Sequence, residues 1–355
     1  MNKFGFAAKL LHSNLTGKQV PLQVNIHLLD RCNLRCNYCY IDFDNPHKEI
    51  SFENLSRMLS EIADMGGERI SLEGGEPLLR KDIGDIVDHI HSIGLETNIN
   101  TNGYFLPKKI KQLKNVAMFT VSLDGNRESH DKARGEGSFD KAINAIKVAM
   151  DHGHKVHVIA VLNKQNMHTF DELLALAKEV GFMIVPTTLF FAPGNEYEEG
   201  KDGHYTPSDT EYRALFDRII SLKKQGEPIS WSMETLKYVR NWPTTFQQSS
   251  IEFLSQFPDF KPVTCKAGVN FCVVQTNGDL YTCDPLLGNE NRANAIELGF
   301  KEAFRQILAG KECNACNSLV CTELHQLFSL NPKVVTNVVK NYGRVPQGQQ
   351  AESAL

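Results

Sequence analysis

The sequence predicts an α/β fold built on a parallel sheet, followed by a small cysteine-rich unit. Two observations carry this. From Leu22 to Phe191, short β-rich runs alternate six times with polar segments of helical period. The nine cysteines fall into two groups, three within Cys32–Cys39 and six between Cys265 and Cys321. Repeated strand–helix units at this spacing require parallel strands joined by right-handed crossovers.

The strands are expected at Leu22–Leu29, Arg69–Leu72, Glu96–Asn100, Met118–Leu123, Lys155–Leu162 and Met183–Phe191. The intervening helices are expected at Phe52–Met65, Asp82–Ile93, Lys108–Leu113, Phe139–Asp151 and Thr169–Val180. Ser51 and Asn54 open the first of these, and Gly66–Gly67 closes it. Gly94, Gly153 and Gly181 follow three others, where a glycine accepts the left-handed conformation that ends a helix. Pro207–Gln225 and Trp231–Trp242 read as two further helices, and Pro243, Pro258 and Pro262 mark a broken linker. The tail after Tyr342 is rich in Gln, Gly and Ser and is expected to be disordered. The expected division is 1–225 for the α/β part, 226–262 for a helical linker, 263–328 for the cysteine-rich domain and 329–355 for the tail.

Composition narrows the function classes. The net charge of −4 gives no basic excess for nucleic acid. The apolar runs are strand-length, far short of the roughly 20 residues a membrane helix needs. Met1–Gln19 has charges and no continuous apolar core, so no signal peptide is expected and a cytoplasmic location is. Without export, thiolates binding metal or iron–sulfur are the better reading of nine cysteines than disulfides.

On a parallel α/β sheet, functional groups collect at the C-terminal strand ends. Residues 30–40, Asp-Arg-Cys-Asn-Leu-Arg-Cys-Asn-Tyr-Cys-Tyr, follow the first strand and space their cysteines CxxxCxxC. Three thiolates on one loop hold three irons of a cubane and leave the fourth open to an exogenous chelator. A zinc knuckle is the alternative, but His27 and His47 are poorly spaced to complete one. The second strand is followed by Gly74-Gly75-Glu76-Pro77 and the third by Thr101-Asn102-Gly103. The fourth ends in Ser122-Leu123-Asp124-Gly125, the fifth in Asn163, and Pro193-Gly194 follows the sixth. Taken singly, each of these is also a plain turn or cap. Their agreement with the strand ends is what gives them weight.

The CxxxCxxC segment, with Tyr38 before its third cysteine, closely resembles the signature of the radical S-adenosylmethionine (SAM) superfamily. The resemblance implies a partial (β/α)6 barrel. It implies a 4Fe–4S cluster on Cys32, Cys36 and Cys39 whose open iron takes the amino and carboxylate groups of SAM. Reductive cleavage of SAM would then give a hydrogen-abstracting 5′-deoxyadenosyl radical. SAM contacts are implied for Tyr38, Gly74, Gly75, Glu76, Pro77, Asn102, Ser122, Asp124 and Asn163. A reducing partner such as flavodoxin or ferredoxin is also implied, with no nucleic acid and no membrane.

The second cysteine group is Cys265, Cys272, Cys283, Cys313, Cys316 and Cys321. Between Cys272 and Cys283 an Asn-Gly-Asp turn predicts a β-hairpin. Hairpin plus CxxC resembles the SPASM and twitch extensions, which hold auxiliary iron–sulfur clusters; His325 stands where a full SPASM pattern has a further cysteine. Two arrangements stay open. One cluster would use Cys265, Cys283, Cys313 and Cys316. Two partial sets would divide Cys265, Cys272 and Cys283 from Cys313, Cys316 and Cys321. A structural zinc site is a further alternative. Asp284, next to Cys283, is implied as the acceptor of a substrate proton in similar sulfatase-maturing enzymes; a solvated loop carboxylate is the plainer reading.

The expected substrate is a peptide or protein undergoing oxidation, cross-linking or epimerisation. A small molecule such as a sugar or porphyrin-type precursor is the rival. Only about 20 residues precede the first strand, too few for a peptide-binding domain. A non-catalytic iron–sulfur electron carrier is the alternative of another class, but it has no use for the Gly-Gly-Glu-Pro and Ser-x-Asp segments.

Overall fold

In the computed structural model, residues 3–189, 205–248, 250–308 and 313–343 are described. Six parallel strands form in chain order: β1 Gln23–His27, β2 Arg69–Glu73, β3 Glu96–Thr101, β4 Val116–Ser122, β5 Lys155–Leu162 and β6 Met183–Thr188. Each pairs with the next in sequence, as a singly wound barrel wall requires. The helices between them pack on the outside and leave the strands' inner faces to a central cavity. Helix Phe52–Asp64 shows why these segments are helical. Ser51 caps it by accepting from the Asn54 amide at 3.2 Å. Leu55, Met58, Leu59 and Ile62, at helical spacing, are all buried in the main core. Gly66 ends it at φ +90°, a conformation that favours glycine. Helix Asp209–Lys224 opens on a capping box between Ser208 and Glu211.

The expected hairpin forms, with strands Phe271–Val274 and Asp279–Tyr281. It is not a separate layer: Phe271–Val274 pairs in parallel with β1, so the barrel sheet continues through the hairpin to Ala293–Asn294. The linker is also more ordered than its prolines suggest, since Ser250–Ile251 pairs antiparallel with Ala315–Cys316.

Other segments differ from expectation. Lys108–Leu113 is one helical turn, Leu106–Lys109, which starts earlier with Pro107 in its first turn, and a 3-10 turn, Ile110–Gln112. Unexpected helices form at Lys3–Thr16, Arg127–Arg134, Ala295–Leu298, Phe300–Ile307 and Leu319–Phe328. Pro332–Gly343, read as tail, is a helix docked on the barrel through Asn337 and Asn341, whose amides donate to Ser230 O at 2.8 and 2.7 Å. Phe191, Pro193-Gly194 and the tail beyond 343 lie outside the described residues.

Candidate active site

Cys32, Cys36 and Cys39 lie on the loop after β1, all uncrosslinked and part-buried. With Tyr38, Gly74, Gly75, Asn102, Ser122 and Arg134 they border one cavity of about 250 Å³. The glycine pair fits tightly against the loop that carries the cysteines. Gly75 N donates to Leu29 O at 2.7 Å and Glu76 N to Arg31 O at 2.9 Å. A Cβ on Gly74 would strike Leu29 O and one on Gly75 would strike Arg31 O, so no side chain fits at either position.

Three donors approach the thiols: Leu34 N is 3.4 Å and Asn102 Nδ2 3.7 Å from Cys32 Sγ, and Arg134 Nη1 is 3.8 Å from Cys36 Sγ. Burial pushes all three thiols up, that of Cys39 to about 11. Three sulfurs converging on one cavity, with donors placed to stabilise thiolates, form a donor set that fits a cubane with one open iron.

Glu76, Pro77, Asp124 and Asn163, expected to touch SAM, do not border this cavity. Glu76 is fully buried. Its Oε1 accepts from Leu78 N and the Thr101 hydroxyl, and its Oε2 from Asn102 N at 2.8 Å. Burial raises its pKa to about 7. It latches the loop after β2 to the loop after β3. Asn163 Oδ1 accepts from Gln165 N and its amide donates to Val161 O, so its polar atoms shape the turn after β5.

Asp124 is likewise fully buried, held by Arg134 Nε at 2.6 Å, by Val161 N at 2.9 Å and by the Tyr38 hydroxyl. Burial alone would raise its pKa, but the Arg134 guanidinium holds it below the usual carboxylate range. Arg134 is the residue that sequence reasoning missed. It comes from helix Arg127–Arg134, which also grips the cysteine loop through Asn37 N to Ala133 O at 3.0 Å. A readable signal existed, since Asn126 caps that helix by accepting from Ser129 N and Gly135 closes it.

In the second cysteine group, Cys265, Cys283, Cys313 and Cys316 surround a small void of about 10 Å³ beside His325. The Cys321 thiol neighbours those of Cys283 and Cys316. Cys272 stands apart, buried in the main core on the hairpin strand. Five thiols therefore converge and the sixth does not. His325 Nδ1 accepts from the Lys266 amide at 3.0 Å, which places its proton on Nε2, 3.9 Å from Cys316 Sγ. A metal-ligating histidine donates from its second nitrogen. His325 is therefore arranged to donate to a sulfur and not to bind metal.

A larger cavity, about 350 Å³, fills the barrel interior. Asn25, Ser71, Asn98, Thr120 and His157 line it from the strands, and Glu323 and Leu327 of helix Leu319–Phe328 with Val338 and Asn341 of helix Pro332–Gly343 border it from the C-terminal side. Tyr40, Glu73, Asn100, Ile159 and Thr187 border both this cavity and the cysteine-lined one, so the two adjoin. Asp284 lies on its wall. Burial first, and then the neighbouring Asp284 charge, push Glu73 up to about 8; burial raises Asp284 as well.

The radical SAM superfamily model matches residues 26–177. GTP 3′,8-cyclase of Aquifex aeolicus is 35% identical over 288 residues, 74% of this chain and 82% of that protein. Fe-coproporphyrin III synthase of Methanosarcina barkeri is 34% identical over 50% of this chain and 46% of its own length. Among solved structures, Streptococcus suis SuiB bound to its precursor peptide SuiA superposes at TM-score 0.65 and 20% identity, over 87% of this chain and 70% of that one. The last likeness concerns the fold. The chain belongs to the radical SAM superfamily, whose members are enzymes that use a 4Fe–4S cluster and SAM. No helix among the described residues is long and apolar enough to cross a membrane.

Proposed function

We propose that this enzyme acts on a compact small molecule held in the barrel, in cofactor or metabolite biosynthesis. The observation that carries this is the cavity of about 350 Å³, bordered by the C-terminal helices and adjoining the cysteine-lined one. Its volume lies within the range of roughly 300–1,000 Å³ typical of small-molecule sites. Helix Pro332–Gly343 contributes Val338 and Asn341 to the cavity wall, which narrows the space left for an extended peptide. The small-molecule names of the A. aeolicus and M. barkeri relatives support the same choice. A peptide that inserts one side chain is the second reading, supported by the fold shared with SuiB.

With a cluster on Cys32, Cys36 and Cys39 and SAM bound, reductive cleavage supplies a 5′-deoxyadenosyl radical. The chain's own residues do the rest. Asn102 and Arg134 donate to the Cys32 and Cys36 sulfurs. Tyr40, Asn100 and Thr187, on the shared wall, hold the substrate against the SAM side. The thiols that meet at Cys283 and Cys316 provide a place for an auxiliary cluster behind Asp284.

The test is to incubate reconstituted enzyme, SAM and dithionite with cell extract split by ultrafiltration. Stimulation of 5′-deoxyadenosine formation by the low-mass fraction after peptidase treatment supports the proposal. Stimulation only by the untreated peptide fraction replaces it with the second reading.

A further inference from the structure

Between the two cysteine sites lies a cluster that the chemistry above leaves unused. His27 ends β1 and Glu73 ends β2, and the two are register partners in the parallel pair. The turn after Cys283 brings Asp284 to the same place. One ligand atom from each of the three lies within 4.8 Å of the other two. His27 Nε2 is 4.0 Å from Glu73 Oε2, too far for a hydrogen bond. Two ligands of one ion, each about 2.1 Å from it, stand roughly 3–4 Å apart.

The histidine is the independent sign. His27 is 4% exposed and its Nε2 has no hydrogen-bond partner. Such a nitrogen pays for its burial unless something occupies its lone pair. Burial holds His27 neutral, with its pKa lowered to about 4, and neutral imidazole is the ligating form. Among the described residues neither carboxylate pairs with a lysine or arginine. Ser71 Oγ donates to Glu73 Oε1 at 2.8 Å, and Asn25 Nδ2 approaches Asp284 Oδ2 at 3.5 Å. Donors of this kind orient ligating carboxylates in metal sites.

We propose that His27, Glu73 and Asp284 bind one divalent first-row cation in the wall of the barrel cavity. One imidazole and two carboxylates suit Mn²⁺, Fe²⁺ or Zn²⁺, and no thiolate takes part. Three protein donors leave further coordination positions to an oxygen or nitrogen of the molecule in the cavity. Only that last role rests on the small-molecule reading. Asp284 then serves as a ligand in place of the free proton acceptor expected from its position beside Cys283.

The probe is Mn²⁺ alone, which neglects thiolates. Full-length, cluster-loaded protein in chelator-treated buffer is titrated with MnCl2, and free Mn²⁺ is read by its EPR amplitude. One Mn²⁺ per chain is expected. His27→Gln and Glu73→Gln should each weaken it at least tenfold with the cluster absorbance retained. A second measurement needs no variant: the bound Mn²⁺ should show ¹⁴N coupling from His27 in electron spin-echo spectra. The proposal is overturned by any of three results: no stoichiometric binding, binding unchanged in both variants, or bound Mn²⁺ without nitrogen coupling. Neither SAM nor turnover enters these readouts, so their failure leaves the small-molecule reading standing, and the reverse holds too.

Discussion

Arg134 Nε stands 2.6 Å from Asp124 Oδ2, and the same guanidinium reaches Cys36 Sγ through Nη1 at 3.8 Å. Both side chains of this pair are at least nine-tenths buried. The carboxylate that the family resemblance aims at SAM is thus engaged in holding an arginine against the cysteine loop.

Arg134→Met should therefore be costly. Removing one member of a buried pair leaves the other charge uncompensated, at about 3–5 kcal/mol. Urea unfolding of the variant is expected to show a loss of that size. The double variant Arg134→Met/Asp124→Leu should recover part of it. A double-variant loss equal to the sum of the losses in Arg134→Met and Asp124→Leu alone would mean that the pair has no coupling.

The same network has a pH signature. His130 Nδ1 accepts from the Asp124 amide at 3.1 Å, and burial first lowers its pKa from 6.5 to about 4. A histidine depressed in the fold binds protons more readily when unfolded. Its contribution is therefore whole above pH 6.5 and is lost as pH falls toward 4. The shift is worth about 3 kcal/mol at 1.36 kcal/mol per unit. His130→Asn should flatten the fall in unfolding free energy across that window by an amount of this order. An unchanged slope would remove His130 from the acid response.

How much of this was legible depended on sequence distance. The strands, their order and the cysteine loop followed from local pattern, because each rests on period, cap and turn residues close in the chain. Partners far apart did not follow. Asp124 meets Tyr38 from 86 positions away, and Glu323 accepts from the Ser232 hydroxyl from 91. Helix Arg127–Arg134 is mostly polar and gave no apolar period to read. Helix Pro332–Gly343 carries Val334, Val335, Val338 and Val339, a helical pattern hidden by its place before a Gln-rich tail.

Glu76 latches two loops, so Glu76→Ala leaves the buried Thr101 hydroxyl and Asn102 amide without their acceptor, at about 1–3 kcal/mol each. Loosening Asn102, which borders the cysteine cavity, should raise the SAM concentration needed for half-maximal cleavage. Cluster absorbance should stay intact. Unaltered SAM dependence would confine Glu76 to stability.

The second cysteine group separates by variant. Cys313→Ala with Cys316→Ala should cost about four irons per chain, one cubane's worth, and spare SAM cleavage. Cys272→Ala should cost none, because Cys272 lies away from the converging thiols. Iron lost with Cys272, or zinc recovered in place of iron, would require a different ligand set.

The most direct test is made on Cys32, Cys36 and Cys39 themselves. Reconstituted wild-type protein, given SAM and dithionite, should produce 5′-deoxyadenosine. The triple Ala variant should produce none while keeping the iron of its C-terminal cysteines. 5′-Deoxyadenosine formed at the wild-type rate by the triple variant would contradict the account.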